Sequence, residues 1–114
     1  MTIAASTKGV SVNLLSAVTG TVSSDSIALP ITSYYPQIII TGSGTISGGT
    51  VLIEESDEDE YTGTWSLIQS ITASDITGGA KQVVHILATV RFIRVRVSSA
   101  ILGGGNISAD LVSN

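Results

Sequence analysis

Apolar residues in this chain return at every second position, in short runs broken by glycine or small polar residues, and nowhere at helical spacing. Over residues 9–15, Val10, Val12 and Leu14 alternate with Ser11 and Asn13; over 91–98, Ile93, Val95 and Val97 alternate with Arg94 and Arg96; over 106–112, Ile107, Ala109 and Leu111 share one side. A period of two sends successive side chains to opposite faces of a pleated strand, so each run encodes a strand with one face to bury. The residue types agree. Ile, Val and Thr supply 39 of the 114 residues, and their branched Cβ atoms lose freedom in a helix while packing well on a sheet.

The remaining runs extend the pattern. Alternation resumes over residues 18–23, Ser24-Asp25-Ser26 reads as a turn, and Ile27, Leu29 and Ile31 alternate around Pro30, which cannot donate to a ladder and so predicts an edge strand. Ile38-Ile39-Ile40, between Pro36 and Gly42, predicts a central strand covered on both faces. Residues 42–49 form a loop, 51–55 a strand, the acids after it a turn, and 64–71 the returning arm of a hairpin with Trp65, Leu67 and Ile71 on one face. After a loop over 72–80, residues 82–88 set Val84 and Ile86 against Val83, His85 and Leu87, and Gly103-Gly104-Gly105 supplies a permissive turn. Seven to nine short strands without crossover helices predict an antiparallel β-sandwich, jelly-roll or immunoglobulin-like. The length suits a single domain over residues 9–114, with residues 1–8 as a flexible arm.

Composition narrows the functional classes. The chain has no cysteine, so neither a disulfide framework nor a thiolate site is available. Its start lacks the charged and apolar regions of a signal peptide, and no run reaches the ~18 apolar residues of a membrane span, so a chain kept in the cytoplasm is expected. Six of the nine acids (Glu54, Glu55, Asp57, Glu58, Asp59, Glu60) fall within seven residues, while among the five bases only Arg91, Arg94 and Arg96 cluster. That distribution disfavours direct nucleic-acid binding, which rewards a broad basic surface.

Four groupings invite a chemical reading. The acidic run has the oxygen density of a calcium site, but not the order of a calcium loop, and successive carboxylates at a strand end diverge; a solvated hairpin tip is the expectation. Glycoside hydrolysis would need two carboxyls across a cleft, one of them desolvated, which a crowded exposed turn does not offer. His85 is the only histidine; without a Gly-x-Ser-x-Gly elbow or cysteine ligands it reads as a strand residue rather than a triad member or zinc ligand. Gly42-x-Gly44-x-x-x-Gly48 is followed by strand residues rather than a helix, which makes it a strand connection and not a phosphate loop. No residue is therefore assigned a catalytic, cofactor-binding or metal-binding role, no cofactor is expected, and the chain is expected not to be an enzyme. Tyr34, Tyr35, Arg91, Phe92, Arg94 and Arg96 are contact candidates, because Tyr and Arg combine apolar area with a directional polar end; Phe92 in the core is the alternative.

Several segments together resemble small structural proteins of tailed-bacteriophage virions: Thr41-Gly42-Ser43-Gly44-Thr45, Val51-Leu52-Ile53-Glu54-Glu55-Ser56, Thr64-Trp65, the run from Val90 through Arg94 and Arg96 to Ser98, and Gly103-Gly104-Gly105 before the last strand. The resemblance spans residues 14–114. It departs over residues 56–63, longer than the compact Ser-x-Asp-Gly turn usual there. It implies a virion component, with a head decoration or cement protein bound to the major capsid protein as the leading form, assembled as a homo-oligomer with a trimer favoured, and without nucleic-acid or membrane contact. The alternative is a tail, neck or fibre module, including a carbohydrate-binding one with Tyr34, Tyr35, Tyr61 and Trp65 as stacking platforms.

Overall fold

The computed structural model describes residues 10–24, 27–28, 36–57, 65–86 and 90–113. The expected arm (1–8), residues 29–31, Tyr34, Tyr35, the outer acids 58–60, Tyr61, Thr64 and Leu87 lie outside the described residues. Among the described residues nine strands follow in order: β1 (Val10–Val18), β2 (Val22–Ser23), β3 (Ile27–Ala28), β4 (Gln37–Ser43), β5 (Gly48–Ser56), β6 (Ser66–Thr72), then a 3₁₀ segment (Ala73–Gly79), β7 (Lys81–His85), β8 (Phe92–Leu102) and β9 (Asn106–Ser113). One sheet has the order β1-β9-β4-β7, the other β2-β8-β5-β6 with β3 also on β8, and every pairing is antiparallel.

β2 and β3 run along the same edge of β8, Val22 opposite Val97 and Ile27 opposite Ile93, so they are two pieces of one strand. Of the expected turn at residues 24–26, Asp25 and Ser26 lie outside the described residues. Ser24 bridges the gap, its N–H donating to the Val95 carbonyl at 2.8 Å and its hydroxyl oxygen accepting the Val95 N–H at 2.9 Å. With that strand counted once, eight strands pair first with last, second with seventh, third with sixth and fourth with fifth. This is a long hairpin wrapped into two sheets, the jelly roll, rather than an immunoglobulin-like order.

The predicted alternation builds the core. Ile38, Ile40, Ile107, Ala109 and Leu111 from one sheet meet Val51, Ile53, Ile93, Val95 and Val97 from the other, each at most 1% exposed. Burying a side chain of this kind contributes roughly 1.5–3 kcal/mol, so these ten positions hold the two sheets together.

Bulges displace several expectations. On β1 the register against β9 slips between Asn13 and Leu15 and again between Leu15 and Val18, so the residues facing inward are Val12, Leu15 and Val18, opposite Leu111, Ala109 and Ile107. Leu14, expected inside, is partly buried and packed against the core, and Leu15 beside it, expected on neither face, is 4% exposed. On β6 the register slips past Ile68, between Gln69 (opposite Ile53) and Leu67 (opposite Glu54). The extra residue puts Leu67 on the outer face, 58% exposed, while Ile71 stays in the core. β4 is interior to its sheet, but only one of its faces is fully buried, since Ile39 is half-buried. A short 3₁₀ segment, where only a loop was expected, carries the chain from β6 to β7 on the other sheet and buries Ala73 and Ile76.

At one end of the sandwich three connections between the sheets touch backbone to backbone. The Gly78 N–H donates to the Gly44 carbonyl and the Ser47 N–H to the Leu102 carbonyl, both at 2.8 Å. A Cβ at Gly42 would collide with the Ile76 carbonyl oxygen, and one at Gly105 would stand 2.5 Å from the Ser43 carbonyl oxygen. Glycine is required at both because no side chain fits against the neighbouring backbone there.

Candidate functional site

The outer face of the β2-β8-β5-β6 sheet is where the charged and aromatic residues gather. Register places Arg94 opposite Glu54 and Arg96 opposite Leu52 on β8 and β5, with Leu67 opposite Glu54 on β6. Residues directly opposite share a face, so the outward pattern of β8 delivers two guanidinium groups beside the one outward carboxylate of β5.

Glu54 Oε1 accepts from Arg94 Nε at 2.9 Å and from Arg96 Nε at 3.1 Å, and Oε2 accepts from Arg96 Nη2 at 3.3 Å. The Arg96 contact is a two-point fork, the geometry that suits guanidinium and carboxylate best. Glu54 is 5% exposed, although it begins the acidic run expected to form a solvated tip. Burial pushes its carboxyl up, but the hydrogen bonds from Arg96 and Arg94 and their charges outweigh it, holding the group below its ordinary value. The same contact raises Arg96. Over this pair lies a third layer: the Arg94 guanidinium carbon sits 4.4 Å from the centroid of the Trp65 ring, a cation–π stack. Trp65 is 7% exposed, so it offers no open face for a sugar to stack on.

Around this plate the surface is apolar and partly open: Leu67, half-buried Leu52 and half-buried Phe92, which is neither inside the core nor fully exposed. Arg91, just ahead of β8, is exposed. A carboxylate held ionised by two guanidinium groups has no proton to donate at neutral pH.

The other expected groups are scattered. Glu55 is partly buried on the opposite side of β5 from Glu54, and Asp57 is exposed at the strand end; among the described residues no group of three His, Cys, Asp or Glu is placed to hold a metal ion. His85 stands exposed at the end of β7, opposite Gln37 and on the other sheet from Glu54. Of the glycines expected in a loop over 42–49, Gly42 lies in β4 and Gly48 opens β5, leaving Gly44 in the short β4–β5 connection, which leads into a strand and not a helix. Among the described residues no helix is long and apolar enough to cross a membrane. What sequence reading missed was the pairing of Glu54 with Arg94 and Arg96. The signal was there in two adjacent alternations, Leu52-x-Glu54 and Arg94-x-Arg96, but it becomes informative only once β5 is known to lie against β8.

No protein-family model matches the chain, and no curated protein matches it by sequence. Among solved structures it is similar to the crystal structure of the SPBc2 prophage-derived protein YomS, with a TM-score of 0.57 and 15% identity over 93% of this chain and 94% of that one. At that identity the likeness is one of fold, and it runs nearly end to end in both chains.

Proposed function

We infer that this chain is a structural, non-catalytic component of a tailed-phage particle, and within that class a decoration protein that clamps neighbouring subunits of the capsid lattice. The observation that carries the reading is the nearly end-to-end fold likeness to a prophage-derived protein. Two features support it. Jelly rolls are a recurrent architecture of viral shell proteins, and the outer plate of Arg94, Glu54 and Trp65 with Leu67 and Phe92 has the aromatic and arginine content of a protein-binding surface. Repetition over a symmetric shell multiplies weak contacts, so a small domain needs no large interface on each.

The test is co-sedimentation of the purified chain with empty coat particles of the phage that encodes it. The expected result is saturable binding in fixed ratio to coat subunits, weakened several-fold by Leu67→Asp. Recovery of the chain in the supernatant, or on isolated tails alone, overturns the decoration reading.

A further inference from the structure

The free edges of the two sheets are not alike. β1 is interrupted by two register slips, β6 by one, and β2 and β3 are two residues each. β7 pairs in unbroken register with β4 along its whole length, and among the described residues its far edge is open and regular.

Which backbone groups that edge presents follows from two flanking hydrogen bonds. The Gly42 N–H donates to the Ala80 carbonyl at 3.1 Å, and the Ile86 N–H to the Pro36 carbonyl at 3.0 Å. Bonded and non-bonded pairs alternate along an antiparallel ladder, so Gln82 and Val84 turn their backbone toward β4, while Lys81, Val83 and His85 turn theirs outward. An edge of this kind recognises an extended strand.

We propose that the strand it takes is β7 of a second copy, antiparallel about a two-fold axis through Val83, fusing the two β1-β9-β4-β7 sheets into one. The register selects itself. With Val83 opposite Val83 of the second copy and Lys81 opposite its His85, each of the three outward residues meets an outward residue and exchanges two hydrogen bonds. Sliding by two residues toward the start of β7 sets His85 opposite Gly79, which lies outside the strand. The side chains agree with the backbone: Val83 is 41% exposed and lies opposite half-buried Ile39 on β4, so pairing joins two short apolar strips across the axis. The inference does not depend on the phage reading, since it rests on the edge alone.

Sedimentation equilibrium of the full chain tests it, with Val83→Lys and Val83→Cys beside the wild type. The expected mass is twice the 11.7 kDa protomer, falling to the protomer for Val83→Lys, which sets two ammonium groups against each other at an exposed position and leaves the strand signal in circular dichroism unchanged. A bonded antiparallel pair holds its Cα atoms about 5.5 Å apart, within reach of a disulfide. In this cysteine-free chain, Val83→Cys should therefore form a covalent dimer under mild oxidation, whereas the more accessible control Leu102→Cys, 58% exposed, should not. A wild type that stays a protomer or forms a trimer, or a Val83→Lys chain that keeps the doubled mass, overturns the proposal.

Discussion

Glu54 shows how one residue can be legible in kind and illegible in role. In a run of six acids it reads as part of a solvated tip, yet the strand continues through it and turns its carboxylate onto two arginines of the neighbouring strand. Removing the charge while keeping the shape, Glu54→Gln, leaves both guanidinium groups short of a partner. A fully buried pair broken in this way costs ~3–5 kcal/mol. Here the arginine side chains are 22% and 35% exposed, so water recovers part of it and a loss of about 1–2 kcal/mol at pH 7 is expected by urea denaturation. The pH dependence has a definite sign. Because the folded carboxyl lies below its unfolded value, its contribution is complete above about pH 4.3 and disappears as pH falls through the lower folded value. The stability gap between wild type and Glu54→Gln should close on acidification below that range; a gap that is constant from pH 7 to pH 3 would mean the carboxylate is not held by the arginines.

Among the elements, alternation located strands well and bulges poorly. The inward faces of β8 and β9 were readable residue by residue, since Ile93, Val95 and Val97 and then Ile107, Ala109 and Leu111 are all buried. The outward turn of Leu67 and the burial of Leu15 were not, because one extra residue in a ladder reverses every side chain beyond it and leaves no mark in composition. The glycines divide the same way. Their abundance signals turns, but only the fold shows that Gly42 lies against the backbone of the 3₁₀ segment while Gly20 has nothing within 4 Å. Gly42→Ala should therefore cost about 2–4 kcal/mol by forcing the connections apart. Gly20→Ala should be neutral or slightly stabilising through the unfolded chain. Thermal unfolding of the two variants side by side separates close approach from mere loop content.

For the whole molecule, strand count and class were readable from periodicity, whereas the order of strands was not. Nothing local states that β9 lies between β1 and β4, or that β2 and β3 share one edge of β8. The jelly roll that results joins the ends of the described chain side by side, β1 against β9, and leaves two broad outer faces. One carries the Glu54, Arg94, Arg96 and Trp65 plate, the other ends at β7. A place in an assembled particle is the role proposed for this fold. Cryo-electron microscopy of the intact phage that encodes the chain tests that role most directly. The predicted result is a jelly-roll density repeated over the outside of the head, seated across junctions between coat subunits; particles that lack the chain altogether, or carry it only inside the tail, would contradict it.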